Sequence, residues 1–305
     1  MHTKVANKSL EFYVMNASGP DCSEEAELLD LERGYVGAVV IKSSTLEPRE
    51  GNFHPRYQRL EHGSIQCMGL PNKGAAAYAQ MIGKLKIKVP IIASIFGNST
   101  EEYIEVTKKF ANSKADLLEI NISCPNADDE PIGYSIDETN RLLYEIVDLT
   151  DKPLGLKLPP YFIKREIEEM SSLIKEHHIQ FITCINSVPN CLVIDADKEC
   201  SVIKPNNGLG GLCGSYIKPI ALANVRQFYN RLENSVSIIG VGGINSGKDA
   251  FEFLLAGADA VQVATCYEKE GPGCFYRINN ELTEILGKKG YRSIDEAKGQ
   301  LKQIV

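Results

Sequence analysis

A thiol flanked by asparagines, two lysines at or within apolar runs, and a glycine pair ahead of a helix are the residues here that could do chemistry. The thiol lies in Leu118-Glu119-Ile120-Asn121-Ile122-Ser123-Cys124-Pro125-Asn126. Apolar residues run to Ile122, as in a buried strand, and Pro125 removes a backbone donor, so the strand stops there. A cysteine held at a strand end can face a ligand as base or nucleophile, although most cysteines outside disulfides are simply buried. Lys42 follows another apolar run, where it can hold an anion or a carbonyl oxygen, or lie solvated on the surface. Lys157 stands inside Leu154-Gly155-Leu156-Lys157-Leu158. A lysine is almost never fully buried without a partner, so there a functional role outweighs a structural one.

Gly240-Val241-Gly242-Gly243 ends a further run, and a helical pattern starts a few residues on. Backbone N–H groups and a helix N-terminus in that arrangement bind phosphate, although turns need glycine too. Asn16-Ala17-Ser18-Gly19 offers small residues for close approach of a flat ligand. Asn186-Ser187, Ala264-Thr265 and the loop Gly208–Gly214 add polar or flexible strand ends. The paired carboxylates of a glycosidase and a Ser-His-Asp pattern are both missing. The inventory suits a phosphorylated cofactor beside a polar, anionic, planar substrate, and flavin mononucleotide (FMN) fits the phosphate cradle.

Elements must bring these positions together. Eight short apolar, β-branched runs lie near 12–17, 37–42, 91–96, 117–122, 154–158, 180–185, 237–241 and 259–264. Helical patterns separate most of them. In one, Tyr103, Val106, Thr107 and Phe110 share a face behind a Ser99-Thr100-Glu101-Glu102 capping box. In another, Ala250, Phe251, Leu254 and Leu255 share a face behind Ser246 as N-cap. The alternation predicts a (β/α)8 barrel, with a doubly wound open sheet as the competing fold. Residues 43–90 and 187–236 are long excursions from the C-terminal face, where ligand covers and oligomer surfaces form. A terminal helix is expected within 290–305. No linker tract or repeat divides residues 1–305, so one domain is expected.

The 305 residues are 43% hydrophobic and 24% charged, enough for a large core. A net charge of −7 without a basic run argues against a nucleic-acid-binding face. No apolar run is long enough to span a bilayer. Nine cysteines without a C-x-x-C pair, and five histidines without H-E-x-x-H spacing, make a metal centre or disulfide framework unexpected. A cytoplasmic, metal-free protein is expected.

The chain closely resembles the dihydroorotate dehydrogenases, and among them the soluble, fumarate-dependent class 1A enzymes. The likeness runs from Asn16-Ala17-Ser18-Gly19 to Lys269-Glu270-Gly271-Pro272. It includes Lys42-Ser43-Ser44-Thr45-Leu46, Met68-Gly69-Leu70-Pro71-Asn72, Asn121-Ile122-Ser123-Cys124-Pro125-Asn126, Lys157-Leu158-Pro159-Pro160-Tyr161-Phe162 and Tyr216-Ile217-Lys218-Pro219. The resemblance implies an FMN-containing barrel, a homodimer, that oxidises dihydroorotate to orotate in pyrimidine synthesis and is reoxidised by fumarate. Cys124 would be the base, where class 2 enzymes use serine and carry an N-terminal extension. Lys42, Gln66, Met68, Gly69, Leu70, Asn121, Asn126, Asn186 and Ser187 would hold the substrate. Ala17, Ser18, Lys42, Ser43, Asn121, Lys157, Gly214, Gly242, Gly243, Ala264 and Thr265 would hold FMN. A loop around 125–131 would cover the site. An ordinary thiol, with a pKa of about 8.5, is a weak base at neutral pH, so activity should rise as thiolate forms.

Four positions, in three places, depart from the family. Gln66-Cys67 replaces Asn-Ser, and glutamine carries its amide one methylene further out. Either the backbone adjusts and the same hydrogen bonds form, or substrate preference shifts towards another small planar or carboxylated molecule. Ala264 replaces a glycine near the expected phosphate, and Cys213 replaces a small residue. A barrel that binds flavin or phosphate without catalysis is the reading from another class, and intact Cys124, Lys42 and Lys157 oppose it.

Overall fold

The computed structural model describes residues 2–124 and 130–304. Eight parallel strands form the central sheet: β1 Val14–Asn16, β2 Val39–Val40, β3 Ile91–Ile95, β4 Leu117–Asn121, β5 Leu154–Leu158, β6 Phe181–Cys184, β7 Ser237–Val241 and β8 Ala260–Val263. Each falls within a predicted run. Neighbours pair in chain order from β2 to β8, and β8 pairs with β1. Their residues are almost all buried, as expected of strands covered on both faces.

The ring closes between β1 and β2 through a side chain. The Gly37 N–H donates to the Val14 carbonyl at 2.9 Å. Beyond it, the fully buried Asn16 amide takes the place of a strand, accepting from the Val40 N–H at 2.9 Å and donating to its C=O at 2.7 Å. Asn16→Ala would leave both backbone groups buried and unpaired. We expect a loss of about 2–4 kcal/mol, read as a lowered thermal midpoint with the wild-type far-ultraviolet spectrum kept. An unchanged midpoint would refute this role.

Helices cover the barrel: α1 Glu25–Arg33, α2 Ala75–Lys84, α3 Thr100–Ala111, α4 Ile136–Ile146, α5 Lys164–Glu176, α6 Lys218–Leu232, α7 Gly247–Ala256, α8 Thr265–Glu270 and α9 Gly273–Lys289. The predicted face of α3 is buried, and the Ser99 hydroxyl accepts from the Glu102 N–H. The capping box is shifted, because Glu102 accepts from the N–H and the side-chain amide of Asn98 rather than from Ser99. Ser246 caps α7 as predicted. There Phe253 is buried and Leu255 only partly so, because α7 is wedged against α9 as well as the sheet.

Two features differ from expectation. An antiparallel hairpin, Thr3–Val5 with Lys8–Leu10, precedes the barrel. Its Val5 and Leu10 pack with Met15, Phe181 and Ile239 and plug the N-terminal end. Within 290–305 the only helix among the described residues is the single turn α10, Ile294–Ala297; the long closing helix is α9.

The two excursions meet. Strands Tyr57–Leu60 and Gly63–Gln66 come from the first, and Val188–Leu192 and Leu209–Gly214 from the second, in one four-stranded antiparallel sheet. Gln66 pairs with Gly211, Ser64 with Cys213 and Gly63 with Gly214. The last pair must be glycine: a Cβ on Gly63 would lie 2.0 Å from the Cys213 carbonyl oxygen.

Candidate active site

A cavity opens at the C-terminal end of the barrel, roofed on one side by this accessory sheet. Its wall includes Ala17 and Ser18 after β1, Lys42 and Ser43 after β2, and Asn121 and Cys124 of β4 and its end. Lys157 of β5, Asn186 and Ser187 after β6, Gly242 and Gly243 after β7, and Ala264 and Thr265 after β8 complete the ring. The accessory sheet and the turn after it add Gln66, Met68, Leu70 and Gly214. Gly69 does not line the cavity. It turns the chain at φ +71°, where a Cβ would lie 2.5 Å from the Asn52 side-chain oxygen. Asn126 lies outside the described residues, as do residues 125–129 of the cover expected at 125–131.

Two lysines bring positive charge into the cavity wall. The Lys42 ammonium donates to the Gly19 carbonyl at 2.9 Å. Burial pushes its pKa below the ordinary lysine range; Cys22 opposes that shift and the Lys157 charge adds to it. Lys157 is 5% exposed, and no ion pair among the described residues neutralises it. Two further thiols lie close by. Burial raises Cys22, under Gly19, to about 11, and Cys213, in the wall, also to about 11. Both are protonated at neutral pH.

A chain of polar groups crosses the cavity floor. Ser43 Oγ lies 3.0 Å from Ser18 Oγ and 2.9 Å from Ser94 Oγ, and accepts from Asn121 Nδ2 at 3.1 Å. Gln66 Nε2 donates to Ser187 Oγ at 3.3 Å, and Gln66 Oε1 accepts from the Met68 N–H at 3.1 Å. The longer glutamine therefore ties the accessory sheet to the end of β6. Gly211 makes room, since a Cβ there would lie 2.3 Å from Ser187 Oγ.

On the opposite side the backbone itself is the surface. Gly242 and Gly243 have φ +134° and +75°, and a Cβ on Gly243 would lie 2.8 Å from the Gly214 carbonyl oxygen. Main chain without side chains, with α8 starting at Thr265, is the kind of surface whose N–H groups bind anions. The Ala264 methyl faces Gly19, 3.5 Å from where a Cβ there would be, and its φ of −123° does not require glycine.

Part of the wall lies outside the residues singled out above. Tyr57 and Glu268 line the mouth, where Glu268 accepts from Tyr57 Oη at 3.2 Å and from Arg59 Nη2 at 2.6 Å. Gln262 of β8 lies in the floor and donates to Glu119, which also accepts from Thr183. This makes a polar layer where barrels usually carry Val, Ile or Leu. Glu119 inside the apolar run Leu117–Asn121 and Gln262 inside Ala260–Val263 are the sequence signals for it.

A (β/α)8 barrel with an anion cradle after β7 and β8, two lysines and a strand-end thiol defines the class: a small-molecule enzyme acting at the C-terminal face. The comparisons carry this to a family. A model described as dihydroorotate dehydrogenase matches residues 1–286. Dihydroorotate dehydrogenase A (fumarate) of Lactococcus lactis subsp. lactis is 45% identical over 310 residues, covering both chains in full. Dihydroorotate dehydrogenase (fumarate) of Saccharomyces bayanus is 44% identical, covering 99% of this chain and 98% of the other. The ligand-free DHODH of Eimeria tenella shares the fold, with a TM-score of 0.85 at 22% identity over 98% of this chain and 91% of its own. The chain belongs to the dihydroorotate dehydrogenase family. Among the described residues no helix is long and apolar enough to cross a membrane.

Proposed function

We propose that the protein is an FMN-dependent dihydroorotate dehydrogenase of the fumarate-using class, oxidising dihydroorotate to orotate in pyrimidine synthesis. The observation that carries this reading is the convergence of Cys124, Lys42, Asn121, Asn186 and Ser187 with the Gly242–Gly243 cradle in one cavity. The cradle and the unneutralised Lys157 fit the phosphate and the ring of FMN. Ala17, Ser18, Ser43, Lys157, Gly214, Gly242, Gly243, Ala264 and Thr265 would hold it. Bound FMN supplies the hydride acceptor, and a lysine beside it favours the negative charge of the reduced ring.

The remaining chemistry belongs to the chain. Cys124 takes the proton from the substrate carbon next to the one that loses hydride. Lys42 holds the substrate carboxylate, and its partial burial strengthens that attraction. Asn121, Asn186 and Ser187, with Gln66, Met68 and Leu70, fix the ring amides. The same reading takes the protein as a cytoplasmic homodimer built from one FMN-binding domain per chain. Orotate formation from dihydroorotate with fumarate as acceptor, followed by orotate absorbance, tests it. Turnover is expected without any partner subunit, and its absence in FMN-loaded protein would sink the assignment.

A further inference from the structure

We propose that Ser123, which is absent from the cavity wall, is a positioning residue: its hydroxyl sets both Asn121 and Asn186 to present N–H donors to the ligand. This rests on the functional reading above for the identity of that ligand.

The directions follow from two backbone groups that can only donate. The Ser123 N–H lies 3.2 Å from the side-chain oxygen of Asn121. The Ser187 N–H lies 2.8 Å from that of Asn186. Each contact must be to Oδ1, so each amide nitrogen is at the other position. Asn186 Nδ2 then donates to Ser123 Oγ at 3.0 Å, and Ser123 Oγ donates to Asn121 Oδ1 at 2.9 Å. Asn121 Nδ2 donates onward to Ser43 Oγ at 3.1 Å. Ser123 is caught between a donor and an acceptor, and among small side chains a hydroxyl serves both at once. It is 2% exposed, so bulk water does not compete for either bond in the intact protein.

Each amide keeps one further N–H, and none of the described residues accepts it. Asn121 and Asn186 both line the cavity beside Cys124. The surface they offer is therefore two donors, matched to carboxylate or carbonyl oxygens, with the Lys42 ammonium in the same wall. Without the Ser123 hydroxyl, Asn121 Oδ1 loses one of its two donors and Asn186 Nδ2 loses its acceptor. Asn186 is then free to turn its N–H groups away from the ligand.

The test uses FMN-loaded protein and orotate. Ser123→Ala should weaken orotate binding, measured by titration calorimetry, about tenfold or more. The KM for dihydroorotate should rise in step, and Ser123→Thr should restore most of both. In an Asn186→Ala background the same Ser123→Ala change should cost little more, because the two act as one unit. Independent penalties that multiply would overturn the proposal. In the unsubstituted protein labelled with 15N-asparagine, orotate should shift a side-chain N–H resonance of both Asn121 and Asn186. If neither moves, the proposal fails whether or not the variants fold. A wild type that binds no orotate would instead defeat the functional reading. Wild-type binding that Ser123→Ala leaves unchanged would defeat only this inference.

Discussion

Cys124→Ala should keep the yellow chromophore and the fold, and lose dihydroorotate oxidation by about 10²–10⁴-fold, the range a positioned general base supplies. The side chain is 4% exposed, and alanine removes one sulfur from the cavity wall without adding a group that must be solvated. Cys22 and Cys213 cannot stand in, since burial holds both thiols near 11. The loss should appear in reduction of the protein by dihydroorotate, measured anaerobically by stopped flow. Orotate affinity should change little. Reduction at the wild-type rate would move the base elsewhere.

Lys42→Ala is expected to cost about 2–5 kcal/mol of substrate binding, the scale for truncating one partner of a desolvated charge pair. That is roughly 30-fold to several thousand-fold in KM or in orotate Kd. The pH dependence has a definite sign. Burial lowers the pKa of the ammonium, so it loses its proton at lower pH than an exposed lysine does. Affinity for the anionic substrate should be complete below that lowered pKa and fall as pH rises through it. Calorimetric titration of orotate across the alkaline range checks this. An affinity that is flat with pH, or a Lys42→Ala protein that binds orotate normally, would show that another group takes the carboxylate.

Much of this site was legible because barrel chemistry sits at strand ends, and strand ends can be counted. Each of the eight strands lies inside its predicted run, so the count of strand ends alone puts Lys42, Cys124, Asn186 and Gly242–Gly243 on one face. What stayed hidden depends on pairings distant in sequence. Gln66 meets Gly211, and Arg59 meets Glu268, across separations that no local pattern reports. Asn16 heads a stretch whose small residues suggest a flat ligand, and nothing local shows that its own amide closes the barrel against Val40. The N-terminal hairpin was missed because three-residue strands are too short to show alternation. Ser123 was passed over beside Cys124, since its role lies in the direction of two neighbouring amides rather than in contact with the cavity.

The central claim is that one cavity carries both half-reactions. Its most direct test is to mix the purified yellow protein with dihydroorotate in the absence of oxygen, follow the flavin absorbance, and then add fumarate. Bleaching by dihydroorotate, with orotate formed in equal amount, and recovery of the absorbance on fumarate addition are expected. A protein that takes up FMN and stays yellow with dihydroorotate would contradict it.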